Sequence, residues 1–303
     1  MSEKKRPILM VLAILGIAAL FFGTVGIIIS SLTSASSRFS LRERIGVIPI
    51  EGAITDSHPI VSQLVEFKKD GRIKAIILRV NSPGGGVAPS QEIYREVRKT
   101  ITTKKVIVSM GSLAASGGYY IASAADKIVA NPGTLTGSIG VIMEFIQVEE
   151  LLNKLGIGLE VLKSGEFKDI GSPHRKMSER EKELVRGLIM DIQKQFVEAV
   201  ARGRNLSVDK VKEIADGRIL SGAQSKELGL VDQLGNFEDA VDLAKRLAGI
   251  KGEVTLVYPK KSRGRLWDLL FQDAAKIFYQ SLRDILKTRI EYRWDGVPRW
   301  RED

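Results

Sequence analysis

The chain has 303 residues, a formal net charge of +10 and 44% hydrophobic residues, which is room for one or two domains with a sizeable core. It has no cysteine and only two histidines, His58 and His174, neither at a metal-ligand spacing, which excludes disulfides, cysteine nucleophiles and thiolate-held metals and leaves little from which to build a Ser-His-Asp or histidine-zinc site. The excess of base forms no Arg/Lys stripe interleaved with aromatics, so nucleic acid is not an expected partner.

From Ile8 to Leu32 no residue is charged. As a helix at about 1.5 Å per residue, this segment would span roughly 37 Å, enough to cross a hydrocarbon core of about 30 Å. Lys4, Lys5 and Arg6 precede it, and positive charge stays cytoplasmic. The expectation is a single-pass protein of the cell (inner) membrane, with a cytoplasmic N-terminus and the remainder extracytoplasmic. Arg38, Arg42 and Arg44 weaken that asymmetry. A cleavable signal peptide is the rival reading, and Thr33-Ser34-Ala35-Ser36-Ser37 offers small residues for cleavage, but such an apolar region usually runs only about 7–15 residues. Residues 1–32 thus read as cytoplasmic tip and transmembrane anchor, with the lipid bilayer as partner, and residues 33–44 as a polar linker.

Ile45–Ile50 is a strand candidate whose Pro49 suggests an edge or a strand end. Pro59–Lys69 reads as a helix and Ala75–Val80 as a buried strand. Asn81-Ser82-Pro83-Gly84-Gly85-Gly86 is a loop signal. A helix from about Pro89 to Thr102, a strand at Lys105–Met110, a small-residue helix from about Ser116 to Ala125, and strands at Lys127–Ala130 and Leu159–Leu162 follow. This alternation predicts an α/β domain with a largely parallel sheet, whose ligands bind near the carboxyl ends of strands. Both Gly/Ser-rich loops fall there.

Ser178 and Glu181 form a capping box before a helix with one apolar face: Leu184, Val185, Leu188, Ile189, Ile192, Phe196 and Val200. Ser221 and Gln224 form a second, with Gly229 as C-cap. From Lys251 onward the chain carries a net charge of +4, from 12 Lys/Arg and 8 Asp/Glu. Trp267, Leu270, Phe271, Ala274, Phe278, Leu282 and Ile285 recur at helical spacing. This amphipathic helix is expected to pack on its own domain or a neighbouring subunit, or to lie on a membrane surface.

Chemistry concentrates in Gly111–Ala122. Ser116 follows a strand and opens a helix, flanked by Gly117 and Gly118, so a substrate backbone can approach closely and unpaired N–H groups point at any oxyanion formed beside it. A plain N-cap serine fits the same run. The Pro83-Gly84-Gly85-Gly86 turn suits the other half of an oxyanion hole. It lacks the G-x-x-x-x-G-K-[ST] pattern of a phosphate cradle, and a plain glycine turn remains open. A serine nucleophile needs a base, and with histidine scarce a lysine is the natural one, provided its pKa falls from about 10.4 towards the working pH. Lys163 and Lys168 both follow a predicted strand. Spacing does not choose between them, and Asp169 is either a charge partner or a surface residue.

Four motifs, Asn81-Ser82-Pro83-Gly84-Gly85, Ala114-Ala115-Ser116-Gly117-Gly118-Tyr119-Tyr120, Thr136-Gly137-Ser138-Ile139-Gly140-Val141 and Lys163-Ser164-Gly165-Glu166-Phe167-Lys168, stand in this order behind the anchor. Together they resemble the bacterial signal peptide peptidase A, or protease IV, family over about Ile45 to Ile250. No second copy occurs, which resembles the short, single-domain form. The resemblance implies a Clp protease/crotonase-like α/β fold with repeated ββα units, a peptidase domain over residues 45–250, and a basic amphipathic extension over residues 251–303. It further implies Ser116 as nucleophile, Lys168 as general base, Ser138 orienting the lysine, and backbone N–H groups of Gly84 or Gly85 and of Gly117 as oxyanion hole, with no cofactor or metal. Ring-like homo-oligomers and short apolar peptides, notably signal peptide remnants, are the implied assembly and substrates. Two rival readings are a crotonase-type acyl-CoA enzyme with a carboxylate base, and a membrane scaffold that kept the fold and lost catalysis.

Overall fold

A computed structural model describes residues 16–25, 27, 43–259 and 290–293. The chain divides into two compact units, residues 1–43 with 252–255 and residues 44–251 with 256–303. In the first, residues 16–25 and 27 are helical, and Leu20, Phe21 and Phe22 are 72%, 62% and 72% exposed. The Thr24 hydroxyl donates to the Leu20 and Phe21 carbonyls, so it adds no unpaired donor to that apolar surface. No helix among the described residues is long and apolar enough to cross a membrane. Residues 8–15, 26 and 28–32 of the expected anchor lie outside the described residues, as does the amphipathic stretch Trp267–Ile285.

The second unit runs β1 (Arg44–Glu51), α1 (His58–Lys69), β2 (Ile73–Ser82), β3 (Gly84–Gly86), α2 (Val87–Thr100), β4 (Lys105–Ala115), α3 (Gly117–Ala122), β5 (Lys127–Ala130), β6 (Leu135–Gly137), β7 (Ile142–Met143), α4 (Glu149–Lys154), α5 (Glu179–Arg204), α6 (Val208–Lys212), β8 (Ile219–Ser221), α7 (Gly222–Glu227), β9 (Gln233–Leu234) and α8 (Phe237–Ala248). Two short strands follow, β10 (Thr255–Val257) and β11 (Ile290–Arg293). Strands β1, β2, β4, β5 and β9 lie side by side in that order and pair in parallel. β6 pairs in parallel with the last residues of β4 and carries the antiparallel β8, so the sheet is mixed. Ile76, Ile77, Leu78 and Val80 of β2 and Val106, Ile107 and Val108 of β4 have no exposure. Central parallel strands covered on both faces require such continuous apolar runs. α8 packs on β2 and β4, while α2 packs on α1 and α3.

Three differences from the sequence reading have physical causes. The glycine run is not a free loop. β2 continues to Ser82, and Gly84–Gly86 forms β3 because β11 pairs with it. β4 runs five residues past Met110, because β6 supplies a partner for Leu113–Ala115. Leu159–Leu162 is not a strand: none of the described residues pairs with it, and Leu162 is 93% exposed.

Both predicted capping boxes close, Ser178 with Glu181 and Ser221 with Gln224, and Gly229 follows the end of α7 at φ +79°. The apolar face of α5 is only half covered. Ile192, Phe196 and Val200 are buried, whereas Leu184 and Leu188 are 49% and 45% exposed.

Candidate active site

Ser116 stands between the end of β4 and the first turn of α3. Its backbone, φ 53° and ψ −116°, lies where side chains rarely go. Such a conformation costs about 1–3 kcal/mol and persists only where the surroundings fix it. Here the Ser116 N–H donates to the Gly137 carbonyl at 2.9 Å, and its carbonyl accepts from the Tyr120 N–H at 2.8 Å. The residue occupies the N-cap position, yet its side chain makes no capping bond. The Oγ is buried and has no hydrogen-bond partner among the described residues. A plain cap would lend its oxygen to an N–H two or three residues on, so the cap reading fails at this serine.

Ser138 shares the peculiarity, with φ 50°. β4 and β6 pair Ala114 with Thr136 and Ala115 with Gly137, so Ser116 and Ser138 come next in register. Ser138 is 6% exposed, and its N–H donates to the Arg218 carbonyl at 2.8 Å. Among the described residues the third non-glycine with positive φ is Asn205, which ends α5. Backbone strain at non-glycine residues is therefore concentrated at these two serines.

The glycine turn closes the other side. Gly84 has φ +98°, and a methyl group built there would lie 2.6 Å from the Gly117 nitrogen. A methyl group on Gly117 would lie 3.2 Å from the Gly85 nitrogen and 2.6 Å from Ser90 Oγ. Only hydrogen fits between the two backbones, which brings the Gly84-Gly85 peptide against the first residue of α3. The Gly117 N–H has no intrahelical acceptor at that position. Ser82, Ser90 and Asn81 brace this arrangement, and sequence reasoning assigned them no role. Ser82 Oγ accepts the Gly84 N–H at 3.1 Å and donates to the Gly52 carbonyl at 2.6 Å. Ser90 Oγ donates to the Gly86 carbonyl at 2.9 Å, and Asn81 Oδ1 accepts the Leu113 N–H at 3.2 Å. Asn81 and Ser82 open the glycine motif, which was the available signal.

Lys168 is not part of this cluster. Its side chain is exposed, and the unpartnered Ser116 Oγ rules out a hydrogen bond between the two in the single chain. Its neighbour Lys163 is tied down, with Nζ 2.7 Å from Asp169 Oδ1 and 2.9 Å from the Glu166 carbonyl. Asp169 also accepts from Arg175 at 2.8 Å, and Arg175 reaches Glu181 in the first turn of α5 at 2.8 Å. Asp169 is therefore the charge partner of Lys163 and Arg175, not of Lys168.

This network makes the segment acid-sensitive. Arg175, then Lys163, holds the Asp169 carboxyl well below the usual carboxylate range. Arg175, followed by the Ser178 N–H, pulls Glu181 down to about 2. Carboxyls depressed in the folded state contribute stability that is complete above their unfolded values of about 4 and lost as pH falls towards the folded ones. Limited proteolysis within residues 163–178 is expected to accelerate below about pH 4, before circular dichroism reports loss of the sheet. Equal rates at pH 3 and pH 7 would remove these pairs as the clamp.

The model of peptidase family S49 matches residues 98–251, and that of Clp protease matches residues 32–134. The first range holds Ser116, Ser138 and Lys168, and the second the glycine turn and Ser116. "Putative protease slr0021" of Synechocystis sp. is 46% identical over 212 residues, covering 70% of this chain and 76% of its own. "Putative signal peptide peptidase SppA" of Enterococcus faecium is 37% identical over 266 residues, 82% of this chain and 75% of that protein. "Protease 4" of Salmonella typhi is 38% identical over 217 residues, 68% of this chain and 35% of that longer protein.

Proposed function

The chain belongs to peptidase family S49, the family of the SppA signal peptide peptidases, and from that premise we propose that it is a membrane-anchored serine endopeptidase with Ser116 as nucleophile and Lys168 as general base. The observation that carries this reading is the Ser116 hydroxyl: buried, unpartnered and fixed on a strained backbone beside the glycine turn. A neutral Lys168 amine removes the Ser116 proton, and Oγ attacks the peptide carbonyl. Gly117 and the Gly84-Gly85 turn receive the oxyanion, each donor lowering the barrier by about 3 kcal/mol. Because Ser82 engages the Gly84 N–H, Gly85 is the better donor of the turn, and Gly84 holds its shape. The lysine then protonates the leaving amine and activates the water that releases the acyl group. Ser138 orients the lysine.

Since Lys168 is exposed and apart from Ser116 within one chain, the lysine comes from a neighbouring copy in a ring-like homo-oligomer. The surface around it supports this. Leu151, Leu155, Leu159 and Leu162 are 56–93% exposed. Leu184 and Leu188, with Phe167, line a cavity of about 560 Å³. Apolar exposure on this scale marks a contact surface. The uncharged Ile8–Leu32 segment anchors the protein in the cell membrane with the peptidase domain, residues 45–250, outside the cytoplasm. Short apolar peptides, signal peptide remnants among them, are then the substrates within reach. Residues 251–303 form the basic extension.

Mixing two inactive variants tests nucleophile and assembly together. Ser116→Ala and Lys168→Ala chains, unfolded and reassembled at equal ratio, are expected to recover about a quarter of wild-type peptide hydrolysis, because random neighbours join one intact serine to one intact lysine at that frequency. No recovery would place both groups in one chain, and hydrolysis by Ser116→Ala alone would end the serine reading.

A further inference from the structure

Lys168 stands within residues 155–178, a stretch that forms neither helix nor strand. Around the lysine the backbone makes single turns. The Lys168 N–H donates to the Gly165 carbonyl at 3.2 Å, the Ile170 N–H to the Phe167 carbonyl at 3.2 Å, and the Ser172 N–H to the Asp169 carbonyl at 3.1 Å. Isolated turns at a surface open readily. Each conformation such a loop must give up before the lysine meets its serine counts against the rate. A base that serves a neighbouring copy therefore needs a tie to a rigid element of its own chain.

Arg175 has the geometry of such a tie. Its Nε donates to Asp169 Oδ2 and its Nη2 to Asp169 Oδ1, both at 2.8 Å. Nη1 donates to Glu181 Oε2 at 2.8 Å, and Nη2 to Glu181 Oε1. The remaining N–H of Nη1 reaches the Lys176 carbonyl at 3.2 Å, so all five donors of the guanidinium are engaged. Asp169 directly follows Lys168, and Glu181 closes the capping box of α5 with Ser178. One planar group thus joins the residue beside the base to the first turn of a 26-residue helix. Shielding decides how firmly. The Asp169 and Glu181 side chains are 12% and 4% exposed. Arg180 and Glu166 make a second tie between helix and loop at 3.0 Å, but they are 70% and 57% exposed, and water and salt screen such a pair. A lysine in place of Arg175 would have three donors on one nitrogen and could not grip two carboxylates edge-on.

We propose that Arg175 is the positioning residue of the general base: its guanidinium, forked between Asp169 and Glu181, fixes the Lys168 loop on the start of α5, so that the lysine is already in place when a second copy docks. The inference rests on the peptidase reading above. Arg175 acts through the loop, since its donors are all spent within its own chain. The role is therefore one-sided. The clamp is needed in the chain that lends Lys168 and dispensable in the chain that lends Ser116, whereas an arginine kept only for folding would matter equally in both.

Mixed assemblies of the full chain separate the two. Added to the Ser116→Ala chain, which lends the lysine, Arg175→Ala is expected to lower the recovered hydrolysis at least about tenfold, because displacing a reacting group by about 1 Å costs on the order of 10²-fold. Added instead to the Lys168→Ala chain, which lends the serine, it is expected to leave the recovery within about twofold. Arg175→Lys in the lysine-lending chain is expected to fall between these values. Asp169→Asn, which keeps the shape of the side chain and removes its charge, is expected to show the same one-sided loss. Equal recovery in both placements would overturn the positioning role: kept in both, the clamp is idle, and lost in both, Arg175 merely supports the fold. If the parent mixture recovers nothing, serine and lysine share a chain, and Arg175→Ala in every subunit decides. A fall in kcat of about tenfold or more at unchanged KM, partly restored in Arg175→Lys, would uphold the role, and a kcat within about threefold of wild type would overturn it. Wild type without hydrolysis would overturn the peptidase reading and this inference with it, whereas the other failures leave that reading standing.

Discussion

Ser116→Ala is expected to lower peptide hydrolysis by a factor on the order of 10⁴ or more while the folded protein stays as stable as wild type or becomes more so. The two halves of this result have one cause. A buried hydroxyl without a partner carries a desolvation penalty of about 1–3 kcal/mol, and alanine removes it. Alanine keeps the strained φ of 53°, so the gain is limited to that desolvation penalty. Ser116→Gly relieves the strain as well, and its denaturation midpoint is expected to lie above that of Ser116→Ala. A serine kept for structure would behave in the opposite way, because losing a capping oxygen costs about 1 kcal/mol. Urea midpoints and hydrolysis rates on the same samples decide the matter: activity lost together with stability would mean that Ser116 merely holds the β4–α3 turn. Labelling of wild type, but not of Ser116→Ala, by a fluorophosphonate separates this chemistry from a crotonase-type site, which has no activated serine.

Ser116 also shows where a sequence stops informing. Its small-residue surroundings and its place between strand and helix are legible, and they fit a cap and a nucleophile equally. The missing capping bond is a tertiary fact, set by Gly137 and Ser138 arriving on β6 from another part of the chain. The choice between Lys163 and Lys168 is of the same kind, since only the folded loop shows that Asp169 and the Glu166 carbonyl occupy Lys163. Strands depend on partners in the same way. Ala75–Val80 is buried from both faces, and its apolar run is unambiguous. Leu159–Leu162 looks similar in sequence but finds no pairing partner among the described residues. Ile290–Arg293 is only four residues long, follows a conspicuous amphipathic pattern, and becomes a strand because β3 and β7 flank it. The α/β class, the order of elements from β1 to β5 apart from β3, and both capping boxes required no such distant partner, and they agree with the folded chain.

Lys168→Arg is expected to be as inactive as Lys168→Ala, a loss on the order of 10³-fold or more, because a guanidinium stays protonated and cannot take the serine proton. Stability is expected to change by no more than about 0.5 kcal/mol in either variant, since the side chain is exposed. The loss therefore cannot come from unfolding. Wild-type hydrolysis is expected to rise with pH as the base loses its proton, with no such rise in either variant. Lys163→Ala supplies the contrast. It removes one of two cations on Asp169, and Arg175 still holds that carboxylate, so the loop persists and activity is expected to fall less than tenfold. Substantial activity in Lys168→Arg would transfer the role of base to another lysine, with Lys163 first in line despite its ion pair. The mixed-variant assay gives the result its second dimension. If Lys168→Ala is rescued by a Ser116→Ala partner, the lysine acts across a subunit boundary. The single chain then holds a serine that is structurally ready but has no base until a second copy docks on the exposed apolar surface beside Lys168.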